Sequence, residues 1–475
     1  MAIPPRRLRW TLGFVGATDK LGARVGRTLT KFAGDGVGAR ARRSAIWSVL
    51  DFGGSQGLRL LSNLLLTRLL FPEAFGLMAL VSVIMIGLAL FSDTGIQPLI
   101  VQNERGDDPD FLNTAWTVEA IRGVALWLVV LAIAAPISAL YNEPQLAELL
   151  PIAGLILVIE GVKPTSVHTV NRHLALGRYV CIKLGAQAMG LLVLTVLAWQ
   201  LLSVWALVIG NLITAILTII GFHLFLPGQK NRLRMERSAL KQIFRFGKWI
   251  FLSTAAGFLI NQGDRAILGF YVSLEDLGIY SIGYFLASVP VLLNSALQKM
   301  VMTPLYRMRP PTDNDDYRAA LFRARRLIAA PMLVGAGLLA FAGPMLIALL
   351  YDFRYVSAGA MITLFSISVV PMVCLNTTGA ALAGAGDTRS MFFLVVTTAI
   401  FQTTFIVVGV QFFGVPGALI APGLSIIASY PLRLMYSIRH RVFDPVQDIG
   451  FTLFGLLAPI AACVLHKNEV LALFV

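Results

Sequence analysis

The sequence is poor in charge. Of its 475 residues, 13% are Asp, Glu, Lys or Arg and 57% are hydrophobic, and the mean hydropathy is +0.76. A soluble globular protein carries roughly 25% charged and about 45–50% apolar residues. This composition excludes a soluble enzyme, a disordered chain and a fibrous chain, and it predicts an all-α integral membrane protein.

Cysteine and histidine are also scarce. Cys181, Cys374 and Cys463 lie in apolar stretches without the spacing of a disulfide framework or a metal site. The five histidines are scattered, so we expect neither a metal nor another cofactor. The sequence contains no G-x-x-x-x-G-K-[ST] motif, so no ATP-binding P-loop is predicted. The membrane potential and an ion gradient both remain open as the energy source.

Apolar runs broken by Gly, Pro, Asn or charge predict about thirteen membrane spans. Their predicted ranges are 44–70, 74–95, 112–140, 146–162, 178–201, 203–226, 243–270, 276–298, 325–350, 356–380, 390–413, 415–438 and 447–465. The connections are too short for a folded catalytic domain, so any function must reside within the helical bundle. We therefore do not expect an enzyme.

Lys and Arg fall mostly on one side of this arrangement. They concentrate in the tail before residue 44 and in the loops after even-numbered spans, whereas the loops after odd-numbered spans hold only Arg354 and Lys467. The positive-inside rule then places the N-terminus and the basic loops in the cytoplasm. The net charge of +14 is accordingly interpreted as topology and not as nucleic-acid binding.

The tail of residues 1–43 is basic and lacks the apolar segment of a signal peptide. Lys20, Arg24, Arg27 and Lys31 recur at helical spacing beside apolar residues. This pattern suits an interfacial helix on an anionic leaflet. A solvated basic tail is the alternative that the sequence leaves open.

A short motif occurs twice, at Glu73–Ala79 and at Glu275–Ser281, with an offset of 202 residues. It has the form E-x-[FL]-G-[LI]-x-[AS] and follows the first and the seventh span. The repeat predicts two parallel six-helix lobes, 44–226 and 243–438, around a central cavity. Residues 227–242 would link them, and 439–475 would add one C-terminal span. Coincidence among Gly-rich apolar sequences is the alternative.

These motifs resemble a known family. Phe71–Leu80, Phe91–Gln97, Asn261–Arg265, Leu277–Ser281 and Gly379–Arg389 are similar to the polysaccharide-transporter family of the multidrug/oligosaccharidyl-lipid/polysaccharide (MOP) exporter superfamily. The similarity runs over roughly residues 44–440. The basic tail and the odd number of spans depart from the common pattern of 12 or 14 spans.

The resemblance implies a Wzx-type flippase that moves an undecaprenyl-diphosphate-linked oligosaccharide to the periplasmic leaflet. Its implied partners are that lipid-linked substrate, membrane lipids and the polysaccharide polymerase or export machinery. Two alternatives remain: a drug/cation antiporter of the same superfamily, which would need a carboxylate-rich cavity, and a multispanning enzyme of polysaccharide assembly.

Buried cations are the candidate substrate ligands, because a charge at mid-bilayer costs about 3 kcal/mol or more and usually faces a cavity or a partner. Gln56, Arg59 and Asn63 form one polar stripe on the first span, and Asn261 and Arg265 lie on the seventh. Arg suits a diphosphate because its guanidinium binds oxyanions bidentately. We expect Arg59 and Arg265 to reach a central cavity.

Three further charges have both a functional and a structural interpretation. Arg122 is a substrate-binding candidate, and Glu119 and Asp264 are candidates for coupling or charge tuning. In the structural alternative, Glu119 neutralises Arg122 one turn away, and Asp264 pairs with Arg265. Arg68, near the end of the first span, is expected to extend to the interface.

Overall fold

The computed structural model describes residues 37–308 and 315–474. Within these ranges the chain forms helices and no strand, as predicted. The long helices are α1 Val37–Leu69, α2 Pro72–Phe91, α3 Pro109–Tyr141, α4 Gln145–Gly161, α5 Leu176–Leu201, α6 Val204–Phe225, α7 Arg237–Leu268, α8 Leu274–Ala287, α9 Asp315–Leu350, α10 Ser357–Cys374, α11 Thr388–Phe413, α12 Val415–Ala428 and α13 Val446–Leu465. The predicted basic tail lies outside the described residues up to position 36.

Nine helical segments of the described chain are long and apolar enough to cross a membrane, and eleven if each of two bent pairs is one span. The bends follow α4, by 55° before Ser166–Arg172, and α8, by 45° before Val289–Met308. α1 and α7, which carry Arg59 and Arg265, are outside this set. The protein is thus a multi-pass membrane protein, and the number thirteen stays a prediction.

The predicted linker 227–242 is shorter than expected, because α7 begins at Arg237 instead of 243. Ala239 and Ile243 are fully buried against Phe111 and Leu112 of α3. Two apolar residues four apart inside a basic segment therefore give the helix an additional turn that packs on the first lobe. The basic residues of this segment lower its mean hydropathy, so the hydropathy pattern did not predict the additional turn.

Polar caps fix where several helices begin. The side chain of Asp108 accepts a hydrogen bond from the backbone N–H of Asp110 at the start of α3. Ser273 does the same for α8 and Asp387 for α11. Each cap satisfies one of the backbone donors that a helix leaves free in its first turn.

The two lobes repeat the same packing. In the first, α5 packs against α1 and α6, and α4 against α3 and α6. In the second, α11 packs against α7 and α12, and α10 against α9 and α12. These are the same relations shifted by six helices, so the parallel repeat predicted from the sequence motif is present in the fold. α13 lies outside this pattern, on α9 and α10.

The lobes meet where α2 crosses α8. A Cβ built on Gly76 would lie 1.9 Å from the carbonyl oxygen of Leu274, and one built on Gly278 would lie 2.0 Å from the carbonyl oxygen of Pro72. Gly76 and Gly278 are the repeated glycines of the sequence motif, and Pro72 and Leu274 are separated by the same 202 residues. The contact is therefore reciprocal, as a pseudo-twofold axis requires.

The crossing of α2 and α8 lies at the end of the bundle opposite the Lys- and Arg-rich loops, and further contacts close this end. We call the side formed by the Lys- and Arg-rich loops the basic face. Arg354 donates to the carbonyl oxygen of Thr67 at 3.3 Å and lies 4.8 Å from the ring centre of Phe71. Tyr141 stacks on Phe270 at 4.2 Å between ring centres. Arg354, an exception in the charge distribution, thus joins the second lobe to the first.

Candidate functional site

A cavity of about 420 Å³ lies within the first lobe, toward the basic face. It is lined by α2, α4, α5 and α6. Lys183 bonds Asp51 at 2.8 Å and Lys163 bonds Glu160 at 2.7 Å. The remaining polar lining residues are Ser82, Tyr179, Gln187, Asn211, Thr214 and Thr218. This cavity is polar, but its lysines already have carboxylate partners.

A second cavity, of about 300 Å³, occupies the corresponding place in the other lobe. Residues of α7, α10, α11 and α12 and of the segments that follow α8, α10 and α12 line it. Within the described part of the chain its lining includes Lys299 and Arg433 and no carboxylate. Arg433 is 2% exposed. The two lobes therefore offer equivalent spaces with different charge.

Arg59 and Arg265 meet on one aromatic surface of α8. The guanidinium of Arg59 lies 4.7 Å from the ring centre of Phe285, and that of Arg265 lies 5.0 Å from the ring centre of Tyr284. The two cations are close enough to interact electrostatically. Each contact has cation–π geometry. The structure thus brings together the two arginines predicted from sequence, at the junction of the lobes and not in either lobe cavity.

Asp264 interacts with only one of these two arginines, Arg265. Its carboxylate is 2% exposed and accepts a hydrogen bond from the hydroxyl of Tyr280 at 2.7 Å. It acts electrostatically on Arg265. No carboxylate among the described residues forms an ion pair with Arg59, whose side chain is exposed.

The predicted amides lie beside the arginines. Gln56 and Asn63 are half-buried on α1, and Asn261 is exposed on α7 with its amide bonded to the carbonyl oxygen of Gly257 at 2.7 Å. With the offset of 202 residues, Arg59 corresponds to Asn261 and Asn63 to Arg265. At each of these two equivalent positions, one lobe therefore carries an arginine and the other lobe an asparagine.

Glu119 and Arg122 do not form the predicted pair across one helical turn. Arg122 donates to the hydroxyl of Ser92 at 3.0 Å and to the carbonyl oxygen of Ala89 at 2.8 Å. Glu119 instead lies 3.7 Å from His168, which is buried. The bonds at the end of α2 draw Arg122 away from its neighbour.

Three cations lie in places that the linear sequence did not indicate. Lys183, Arg325 and Arg433 lie near the ends of apolar runs, next to the basic loops. Lys183 lines the first cavity, and Arg325 and Arg433 are each 2% exposed. The sequence signal is that Lys183 and Arg433 each stand five residues inside a predicted span, 178–201 and 415–438.

Solved structures define the class of this fold. The lipid II flippase MurJ in an inward closed conformation matches with a TM-score of 0.68 at 12% identity, over 90% of this chain and 100% of that one. An inward-facing MATE-family multidrug resistance transporter of the MOP superfamily matches with a TM-score of 0.61 at 14% identity, over 81% and 94%. These matches show that the chain has the fold of these transporters.

Sequence comparison gives the family. Residues 65–360 match the family described as polysaccharide biosynthesis protein. The succinoglycan biosynthesis transport protein ExoT of Rhizobium meliloti (strain 1021) is 23% identical over 370 residues, 76% of this chain and 72% of ExoT. The probable flippase AglR of Haloferax volcanii is 29% identical over 245 residues, 49% of this chain and 50% of AglR. The chain belongs to the polysaccharide biosynthesis family, and the resemblance to Wzx-type MOP transporters is confirmed.

Proposed function

We propose that this protein flips an undecaprenyl-diphosphate-linked oligosaccharide from the cytoplasmic to the periplasmic leaflet of the bacterial inner membrane by alternating access. The observation that carries the proposal is the pair Arg59 and Arg265, held on adjacent rings of α8 at the junction of two like-oriented lobes. Two close cations, only one of them beside a carboxylate, suit a ligand with two adjacent negative charges, which a diphosphate provides.

The closed end of the bundle supports the same proposal. The crossing at Gly76 and Gly278 seals the face opposite the basic loops, and both lobe cavities lie toward the basic face. If the basic face is cytoplasmic, as the positive-inside rule predicts, the described state accepts substrate from the cytoplasm. Transport then requires the two lobes to separate at the glycine crossing.

A drug/cation antiporter fits these cavities less well. Such a transporter needs a carboxylate that is free to bind a cation. Of the residues that the structure describes, Glu160 is the acid that lines the first cavity, and it pairs with Lys163, whereas no carboxylate lines the second cavity. The names of the relatives also refer to transport and flipping, not to catalysis.

The test is polysaccharide export by a strain that lacks this gene and is complemented with the wild type or with a variant. We expect Arg59→Ala to reduce export to below a tenth of the wild-type level and to accumulate lipid-linked repeat units on the cytoplasmic leaflet. Arg59→Lys should retain part of the activity, because it keeps the charge but loses the planar guanidinium. Arg68→Ala, at an exposed arginine on the same helix, is the matched control. Full export by both Arg59→Ala and Arg265→Ala at normal protein level would contradict the proposal.

A further inference from the structure

The cavity of the second lobe is built around one buried cation. Arg433 donates from Nε to the hydroxyl of Ser429 at 3.1 Å, from one terminal nitrogen to Asn376 at 2.9 Å and from the other to Thr398 at 2.9 Å. All three acceptors are neutral. A guanidinium has five N–H donors, so two of them remain beyond these bonds.

Among the described residues no carboxylate compensates this charge. None of their carboxylates forms an ion pair with Arg433, which is 2% exposed. Lys299 lines the same cavity and adds a second cation. A buried charge is ordinarily paired or coordinated, so an uncompensated one facing a cavity indicates a missing anion.

Two amides facing the same space point to a ligand independently. Asn294 is 3% exposed and Gln298 is 6% exposed, and both line the cavity. The Oδ1 atom of Asn294 and both polar atoms of the Gln298 amide have no hydrogen-bond partner among the described residues. Buried polar atoms are nearly always bonded, so several such atoms around one cavity require an explanation. The turn that starts at Gln298 is also a π-helix, a distortion frequent at functional sites.

The equivalent cavity of the first lobe provides an internal comparison. There Lys183 is paired with Asp51 and Lys163 with Glu160, so the protein supplies the anions itself. In the second lobe Asn376 occupies the place beside the guanidinium where a carboxylate would neutralise it. The difference in charge therefore follows from a few side chains and not from the shape of the fold.

We propose that the second-lobe cavity is a binding site for a phosphoryl oxyanion, held by Arg433 and Lys299 and by the amide N–H groups of Gln298. The planar guanidinium fits two oxygens of one phosphoryl group, and a lysine ammonium adds a point charge. Two sources share this chemistry: the diphosphate of a lipid-linked substrate, which rests on the proposed function, and free phosphate from the cytoplasm, which does not.

Inorganic pyrophosphate binding to the full-length protein in lipid nanodiscs tests the site. Titration calorimetry should show wild-type binding and at least a tenfold weaker affinity in Asn376→Asp. That substitution is nearly isosteric and places a carboxylate next to Arg433, so the protein neutralises its own cation. Arg433→Gln should also weaken binding at least tenfold. Asn468→Asp makes the same charge change at an exposed position and should leave the affinity within twofold. Performing each titration in an Arg59→Ala background removes any contribution of that arginine at the lobe junction.

Competition with farnesyl diphosphate distinguishes the two sources. Displacement of pyrophosphate would support a lipid headgroup as the ligand, and pyrophosphate binding without displacement would support a soluble anion. Equal affinities of wild type and Asn376→Asp, or no binding by the wild type, would overturn the site. Since these are binding measurements, a failure of the flippase proposal, seen as full export by both Arg59→Ala and Arg265→Ala, would leave them unaffected.

Discussion

Gly76 of the first lobe and Gly278 of the second belong to one reciprocal contact, in which Gly76 packs on the backbone of Leu274 and Gly278 packs on the backbone of Pro72. The nearest atoms are backbone atoms on both sides, at 1.9 and 2.0 Å from the built Cβ positions. No rotation of a side chain can relieve such a contact. The sequence repeat that identifies the two lobes is therefore also the place where they touch.

We expect Gly278→Ala to separate the lobes at this end, because the methyl group would meet the carbonyl oxygen of Pro72. A cysteine at Phe75, in a variant without native cysteines, should then react with a membrane-impermeant maleimide several times faster. Gly185→Ala is the matched control, since nothing lies within 4 Å of its Cβ position. Equal labelling rates in Gly278→Ala and in the control would show that the crossing tolerates a side chain.

The Lys183–Asp51 ion pair is expected to neutralise the charge of Lys183 in the first cavity. The Nζ atom of Lys183 contacts both carboxylate oxygens of Asp51, at 2.8 and 3.0 Å. Lys183→Ala and Asp51→Ala should each lower the unfolding temperature, whereas the exchange Lys183→Asp with Asp51→Lys should recover most of the loss. A double-mutant cycle should give a coupling energy of about 1–3 kcal/mol. Additive effects of the two alanine variants would argue against the pair.

The buried pair Arg325–Asp448 should hold α13 on the second lobe. The two groups are 3.2 Å apart and both nearly inaccessible to solvent. Asp448→Ala leaves Arg325 buried without its partner, so we expect the free energy of unfolding to fall by roughly 3–5 kcal/mol. Asp352→Ala breaks the more exposed pair with Arg354 and should cost less than about 1 kcal/mol. Similar unfolding temperatures for the two variants would contradict this assignment.

Glu236 gives the contact between α7 and the first lobe a pH dependence. Hydrogen bonds from Arg105 and Ser238 lower the pKa of Glu236 from 4.5 to about 2. A carboxylate with a depressed pKa stabilises the folded state above its unfolded pKa, and this contribution is lost as the pH falls through the folded pKa. Wild type should therefore unfold at a higher temperature than Glu236→Gln above pH 5, and the difference should shrink between pH 4.5 and 2. A constant difference over this range would exclude the contact as its source.

Hydropathy and charge spacing predicted the class of fold because lipid imposes one requirement on every span: its backbone must be satisfied within the helix. The reciprocal motif at Glu73–Ala79 and Glu275–Ser281 predicted the two lobes for a related reason. Helices that cross closely need glycine, and a repeated glycine is easily recognised in an apolar sequence. Arg59 and Arg265 were found because a charge within an apolar run is unusual.

Partners could not be predicted in the same way. Glu119 lies one turn from Arg122, but Arg122 bonds Ser92 and the carbonyl oxygen of Ala89, and Glu119 lies near His168. Neighbours along a helix compete with groups on other helices, and the packing angle decides which contact forms. For the same reason the position of Arg433 inside a predicted span did not show that its partners would be Ser429, Asn376 and Thr398.

The sequence by itself determined a helical membrane bundle, the doubling of its lobes and the identity of two central arginines, since these depend on composition, periodicity and repetition along the chain. Only the tertiary structure decided that both arginines lie on the rings of Tyr284 and Phe285. It also decided that one lobe cavity neutralises its lysines, while in the other no acid of the described residues pairs with Arg433. Such differences depend on distances between residues far apart in the chain, which the packing of helices sets and the order of residues does not display.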